Sequence, residues 1–176
     1  MKQGLPVPRR QLAAALWGER WPASRGTALS SILSKLRVQL SRVGPDGSNA
    51  LRSAAGCHEL HLPLGTWVDH EVAFESVHEA EAALKQGDFR SAYGPSAIAR
   101  LISQRPFLPR SDADWIEGRR AKLGSTLVRA LECRSDIYLR NGEPSLAVEQ
   151  AGEAISLEPF RGVGVSMPDA RPRDCR

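Results

Sequence analysis

Apolar residues recur along this chain at helical spacing in most stretches and at strand spacing in one. Between 27 and 42, Leu29, Ile32, Leu33, Leu36 and Leu40 stand three or four apart or side by side, which predicts a helix with one apolar stripe. At about 100° per residue, Thr27, Ser31, Ser34, Lys35, Val38, Ser41 and Arg42 then fall on the opposite face. Ahead of it, Leu12, Leu16 and Trp17 predict a shorter, alanine-rich helix over 9–17, with Pro8 suited to its first turn and Gly18 to its C-terminal stop. The polar stretch 19–26, with Pro22 and Gly26, is expected as a loop. Residues 44–49, with Gly44, Pro45 and Gly47, form a turn cluster that ends the second helix. Two short strands follow, at about 50–53 and 59–62, joined through 54–58.

Pro63 and Gly65 close this half, and from Val68 onward the pattern is helical. One helix is expected over 69–86, carrying Val72, Phe74, Val77, Ala80 and Leu84, and a second over 88–103, carrying Phe89, Ala92, Tyr93, Ile98 and Leu101. A proline-broken loop, 104–111, leads to Asp112, a suitable N-cap. The long helix behind it runs to about Arg140 with Trp115, Ile116, Leu123, Leu127, Leu131 and Ile137 as its stripe. Asn141 and Gly142 end it, and Pro144 opens a last helix that reaches Leu157. Inside this region lies a weak repeat. Gly87 is followed five and twelve residues later by Ala92 and Ala99, and Gly142 in the same way by Ala147 and Ala154. Small residues there let paired helices approach closely, as in tetratricopeptide-type hairpins, although the offset of 55 residues is too long for a regular array of about 34. Two ordinary alanine-containing helices would give the same pattern.

Composition narrows the class. A chain of 176 residues, 41% hydrophobic and 25% charged, has the make-up of a soluble globular protein of one ordinary domain or two small ones. No apolar run approaches the roughly 18 residues of a membrane span and no signal peptide precedes the first helix, so a cytoplasmic setting without membrane contact is expected. Cys57, Cys133 and Cys175 fit neither a disulfide framework nor a zinc-ligand pattern.

Charge distribution changes the picture more than net charge does. Residues 1–62 hold nine lysines and arginines against Glu19, Asp46 and Glu59, a balance of +6, whereas 63–161 hold twelve against fifteen acids. Only the front half is thus suited to a polyanion. Helix 27–42 sharpens this, because it contains no carboxylate at all and its outer face is small, hydroxylic and basic. A solvated surface helix ordinarily mixes both signs. Small side chains permit close approach, and cations suit a partner rich in phosphate. A core-packing helix with an incidentally basic back would read the same way from this stretch alone. Two helices joined by a short turn, with a hairpin behind them, make a winged helix-turn-helix candidate in which Arg52 lies on the wing.

Enzymatic chemistry finds no foothold. The chain has no phosphate-binding glycine loop, nucleophile elbow or zinc-protease helix, so no catalytic residue, metal or cofactor is expected. Cys57, His58 and His61 supply too few ligands in a recognisable pattern. Asp69, Glu71, Glu75 and Glu79 read as a solvated face, with His70 and His78 on or beside it.

Two sets of motifs resemble a known family. Leu16-Trp17-Gly18 and the run from Ala28 to Arg37 resemble the winged helix of the antibiotic regulatory protein (SARP) class of bacterial activators. Trp67-Val68-Asp69, Arg105-Pro106-Phe107-Leu108-Pro109, Trp115-Ile116-Glu117 and the run from Ala154 to Arg161 resemble its bacterial transcriptional activator domain. The resemblance covers about 8–161 and implies a regulator, apparently truncated at both ends, that binds double-stranded promoter DNA. By position it puts Ser34, Lys35 and Arg37 on the recognition helix and Arg52 in the wing, and the expected DNA-binding set is Arg25, Thr27, Ser31, Ser34, Lys35, Arg37, Val38, Ser41, Arg42 and Arg52. The expected fold is mainly α: a partial winged helix-turn-helix of two helices and a β-hairpin, followed by a TPR-like helical domain. The expected domains are 1–65 for DNA binding and 66–161 for the activator domain, with 162–176 a disordered tail. RNA polymerase or a second copy of the chain is the implied partner of the helical domain. The competing expectation is a DNA-incompetent remnant acting only as a helical protein-interaction module.

Overall fold

Pro8 ends one element and starts the next. The computed structural model describes residues 5–18, 24–42, 44, 47–63 and 65–158, and it divides into two compact units after Thr66. In the front unit β1 (Val7–Pro8) pairs with a later strand, and α1 (Arg9–Trp17) begins at once behind the proline. Proline has no N–H to donate, so it suits both the edge of a sheet and the entry to a helix. Gly18 closes α1 at φ +56, a conformation glycine adopts freely, and its N–H donates to Ala14 O at 2.8 Å. The two-residue strand carries no periodicity, and it was not expected from the sequence.

Helix α2 (Arg25–Arg42) starts two residues earlier than expected, taking in Arg25 and Gly26. Leu29 and Leu33 are 1% and 6% exposed and pack with Ala13 and Leu51, with Leu12, Trp17 and Leu40 around them. Ile32 and Leu36, expected in the same stripe, are instead 40% and 41% exposed. The inward line runs through positions 29, 33, 37 and 40, so the half-buried Arg37 fills a place expected for an apolar side chain.

One helical turn, α3 (Gly47–Ala50), stands where only a turn was expected, and β2 (Leu51–Ala54) and β3 (Cys57–Leu60) follow. The sheet order is β1-β3-β2, all antiparallel, with Ala54 opposite Cys57 and Val7 opposite His58. A two-residue turn, Ala55 at φ +48 and Gly56 at φ +75, joins the hairpin, and positive φ at both residues is the type I′ geometry whose twist matches that of the strands. That tight turn moves β3 two residues earlier than expected. Arg9 N–H donates to Gly56 O at 3.0 Å and ties the start of α1 to the hairpin tip.

The rear unit contains α4 (Asp69–Lys85), α5 (Phe89–Ser103), α6 (Asp114–Arg140) and α7 (Pro144–Leu157). Helix α6 begins after Ala113 and not after Asp112, and no side chain caps it. The two hairpin turns are near copies. Gly87 N–H bonds Leu84 O at 2.9 Å and Asp88 N–H bonds Ala83 O at 2.9 Å, while Gly142 and Glu143 repeat this on Leu139 and Tyr138 at 3.2 and 2.9 Å. Both are Schellman closures, with each glycine at φ +76. Ala92 and Ala99 have no exposed surface, and Ala147 and Ala154 are 1% and 5% exposed, so both copies of the repeat put their alanines into helix contacts. The larger core residues are Val77, Leu131 and Ile137, each worth roughly 1.5–3 kcal/mol on burial.

Ion pairs reinforce these contacts. Arg129 spans both carboxylate oxygens of Glu81 at 2.6 Å, which holds that carboxyl below its ordinary range, chiefly through the hydrogen bond. Arg100 reaches Glu153 at 3.0 Å. Cys133 is a free thiol pushed up to about 11, first by burial and then by nearby acids, which leaves it unreactive. The chain is therefore mainly α, a winged helix-turn-helix followed by a TPR-like helical stack. No helix among the described residues is long and apolar enough to cross a membrane. The expected disordered tail, 162–176, lies outside the described residues.

Candidate nucleic-acid interface

The outer face of α2 is continuous and exposed. Thr27, Ser31, Ser34, Lys35, Val38, Ser41 and Arg42 all lie on the surface, and no acid occurs between Arg25 and Arg42. Val38 is 50% exposed, and beside it Ile32 and Leu36 add apolar surface to the same helix. Two of the hydroxyls are satisfied locally: Thr27 Oγ1 donates to Ser24 O and Ser41 Oγ to Val38 O, each at 2.9 Å. Ser31 and Ser34 make no hydrogen bond through their hydroxyls among the described residues, and Lys35 and Arg42 make no ion pair there. Arg25 is the first residue of the helix.

Arg37 is placed differently from its neighbours. It is half-buried, its Nε donating to Leu51 O at 3.2 Å and its terminal nitrogen to Ser53 Oγ at 2.7 Å. Ser53 Oγ also lies 2.7 Å from Nδ1 of His58, which is 8% exposed. A serine hydroxyl can accept from the arginine and donate to the imidazole at once. Burial first, then the charges of Arg9 and Arg37, hold His58 below its ordinary value and so keep it neutral. A second arginine, Arg9, does the same kind of work at the other end of α2. Its guanidinium donates to Gly26 O and, at 2.7 Å, to Ser30 Oγ. Helix α2 is thereby fixed to the hairpin through Arg37 and to α1 through Arg9, as well as through the small apolar core.

Arg52 stands exposed on β2 with Glu59 directly opposite on β3, and no ion pair joins them among the described residues. Of the ten expected residues, eight are exposed side chains on α2 or the hairpin, while Arg37 is turned inward and Arg25 is known only by its place in the helix. Sequence reasoning missed Arg9, Ser53 and His58. Their contacts are 17, 21 and 5 residues apart in the chain for Arg9–Gly26, Arg9–Ser30 and Ser53–His58, and no local pattern announces them. Among the described residues no group of three or more His, Cys, Asp and Glu could hold a metal ion.

No family model matches the chain, and no curated protein matches it significantly. Among solved structures it is similar to Mycobacterium tuberculosis EmbR in complex with a low-affinity phosphopeptide, with a TM-score of 0.80 at 23% sequence identity. The likeness covers 90% of this chain and 42% of that one, so the chain spans less than half of the neighbour's length. At that identity the two share a fold.

Proposed function

We propose that the chain is a SARP-class transcriptional regulator that binds duplex DNA through α2 and the β2–β3 wing. The single observation that carries this reading is the outward face of α2, exposed, cationic and free of acids over Arg25–Arg42. It belongs to the second helix of a winged helix-turn-helix, the element that enters a major groove in such folds. The likeness in fold to EmbR and the motifs shared with the SARP class support the same assignment.

Roles follow from side-chain chemistry. Lys35, Arg42 and the wing's Arg52 are point charges or forks for phosphate oxygens, with Arg25 and Thr27 near the N-terminus of α2. Ser31, Ser34 and Val38 are short enough to reach base edges, Val38 against a thymine methyl. Arg37 holds the wing to the helix in this reading, with its Nε on Leu51 O and one terminal nitrogen on Ser53 Oγ, and is not assigned to a phosphate. The helical unit supplies contacts to protein, RNA polymerase or a second copy of the chain. Val148 and Ile155 on α7, 71% and 67% exposed, favour such a surface.

A titration against a selected site at several salt concentrations tests the assignment. Lys35→Ala should weaken binding to every sequence alike and lower the salt-dependence slope by about 1. Ser34→Ala should instead change preference among sites, by roughly 1–3 kcal/mol at one position. Glu75→Ala, on the exposed acidic face of α4, should change neither. Equal behaviour of Lys35→Ala and Ser34→Ala would mean that α2 does not read the groove.

A further inference from the structure

Where α5 ends, the loop 104–111 folds back over the first third of α6 and encloses a cleft of about 380 Å³ lined by Ser103, Arg105, Phe107, Pro109, Arg120 and Gly124 among others. A narrower arm of about 60 Å³ shares Arg105, Phe107 and Leu123 with it and reaches Asp69 and His70. Pro106, Phe107, Pro109 and Leu123 give the cleft apolar walls. Within this setting stands a polar group with nothing to bond. Ser103 is 6% exposed, and its Oγ has no hydrogen-bond partner. His70, whose buried Nε2 is likewise unpartnered, lines the narrow arm. Both atoms are sealed from solvent, so a ligand in the cleft would meet its apolar walls and Arg105 instead.

The two arginines of the cleft differ. Arg120 is fully engaged, donating to Phe107 O and Ser111 O at 2.9 Å, to Leu108 O, and to the carboxylate of Glu117. It fixes the loop as a wall. Arg105 is exposed and its guanidinium makes no ion pair among the described residues. One uncompensated fork of donors beside apolar walls fits a particular ligand chemistry. A volume near the lower end of the usual range for small-molecule sites sets its size.

We propose that this cleft in the helical unit binds a small carboxylic acid with a flat apolar body, its carboxylate on Arg105 and its body between Phe107 and Leu123. Guanidinium matches carboxylate geometry with two parallel hydrogen bonds, which a neutral group cannot reproduce. The proposal goes beyond DNA binding and stands whether or not α2 meets DNA.

The test uses the full chain with benzoate as probe and benzamide as its neutral counterpart, followed by amide chemical shifts. Benzoate should give saturable shifts at Ser103, Phe107, Leu123 and Gly124, with benzamide binding about tenfold more weakly or not at all. Arg105→Gln should reduce benzoate affinity about tenfold and leave benzamide unaffected, whereas Arg110→Gln, on the same loop but outside the cleft, should change neither. Gly124→Leu provides a second block, because a Cβ at Gly124 meets nothing within 4 Å and the longer side chain would fill the cleft. It should abolish binding without lowering the melting temperature. Shifts that do not saturate, equal binding of benzoate and benzamide, or unchanged binding in Gly124→Leu would each overturn the proposal.

Discussion

In the rear unit the residues with no exposed surface are mostly alanines: Ala73, Ala80, Ala92, Ala99 and Ala130. In the front unit the most buried side chain among the helices is Leu29, and the wider gaps are bridged by Arg9 and Arg37 donating to carbonyl and hydroxyl oxygens. Alanine contacts fix how closely two helix backbones approach, and four long helices supply many of them. A unit of α1, α2, the single turn α3 and a small sheet buries too little surface to be held by apolar contacts alone. Polar side chains that reach backbone oxygens supply the rest. The lesson concerns reading charge: in a small basic unit some cations are structural, and only those whose donors are unspent are candidates for a ligand.

That contrast predicts opposite sensitivities. The front core should be most vulnerable to truncation. Leu29→Ala removes the best-buried side chain of a core cluster of Ala13, Leu29, Leu33 and Leu51, and should cost about 2–5 kcal/mol. Amide exchange in α1 and α2 is the readout, and an unchanged protection pattern there would mean that the cluster does not hold the unit together. The rear unit should be most vulnerable to enlargement. Ala147→Leu forces extra volume into a contact that is 1% exposed and should cost roughly 1–3 kcal/mol. A denaturation midpoint unmoved by that substitution would show that the alanines only happen to be buried.

How far these elements could be read beforehand follows the same divide. The rear helices were legible in their bounds, because α4 and α6 end at Gly87 and Gly142 and α5 in a proline-rich loop, but not in every facing: Tyr93, Ile98 and Leu101 of α5 and Trp115 of α6, expected on apolar stripes, are exposed. The front unit was legible as a type and not in detail. Strand β1 is two residues long, and α3 is made of Gly, Ser, Asn and Ala, which read as a turn. The hairpin turns on Ala55 and Gly56, whereas the strong sequence signal for such a turn is Asn-Gly or Asp-Gly, so β3 was placed too late. Arg37 is expected on DNA only from the resemblance to the SARP class, since helical spacing does not put it among the outer-face residues. Its inward role depends on Leu51 O and Ser53 Oγ, 14 and 16 residues further on, and no helical period contains that.

The smallest expected effect sharpens the contrast by pH. His58 is held below its ordinary value of 6.5, so between 6.5 and its lower folded value the unfolded chain takes up a proton that the folded chain refuses. Stability from this group is fully present above 6.5 and falls as pH drops through that window. Protection factors at the β3 amides, corrected for the intrinsic exchange rate at each pH, should therefore fall on acidification below 6.5, and His58→Gln should flatten the dependence. A pH dependence at β3 that survives His58→Gln would assign it to another group.

Selection from a randomised duplex pool by the intact chain measures whether the front unit reads a DNA sequence. A single short motif should be enriched, with amide shifts on binding concentrated in α2 and around Arg52 of the wing. Binding that enriches no motif and disappears uniformly with salt would contradict sequence reading, and would leave the chain as a helical protein-interaction module.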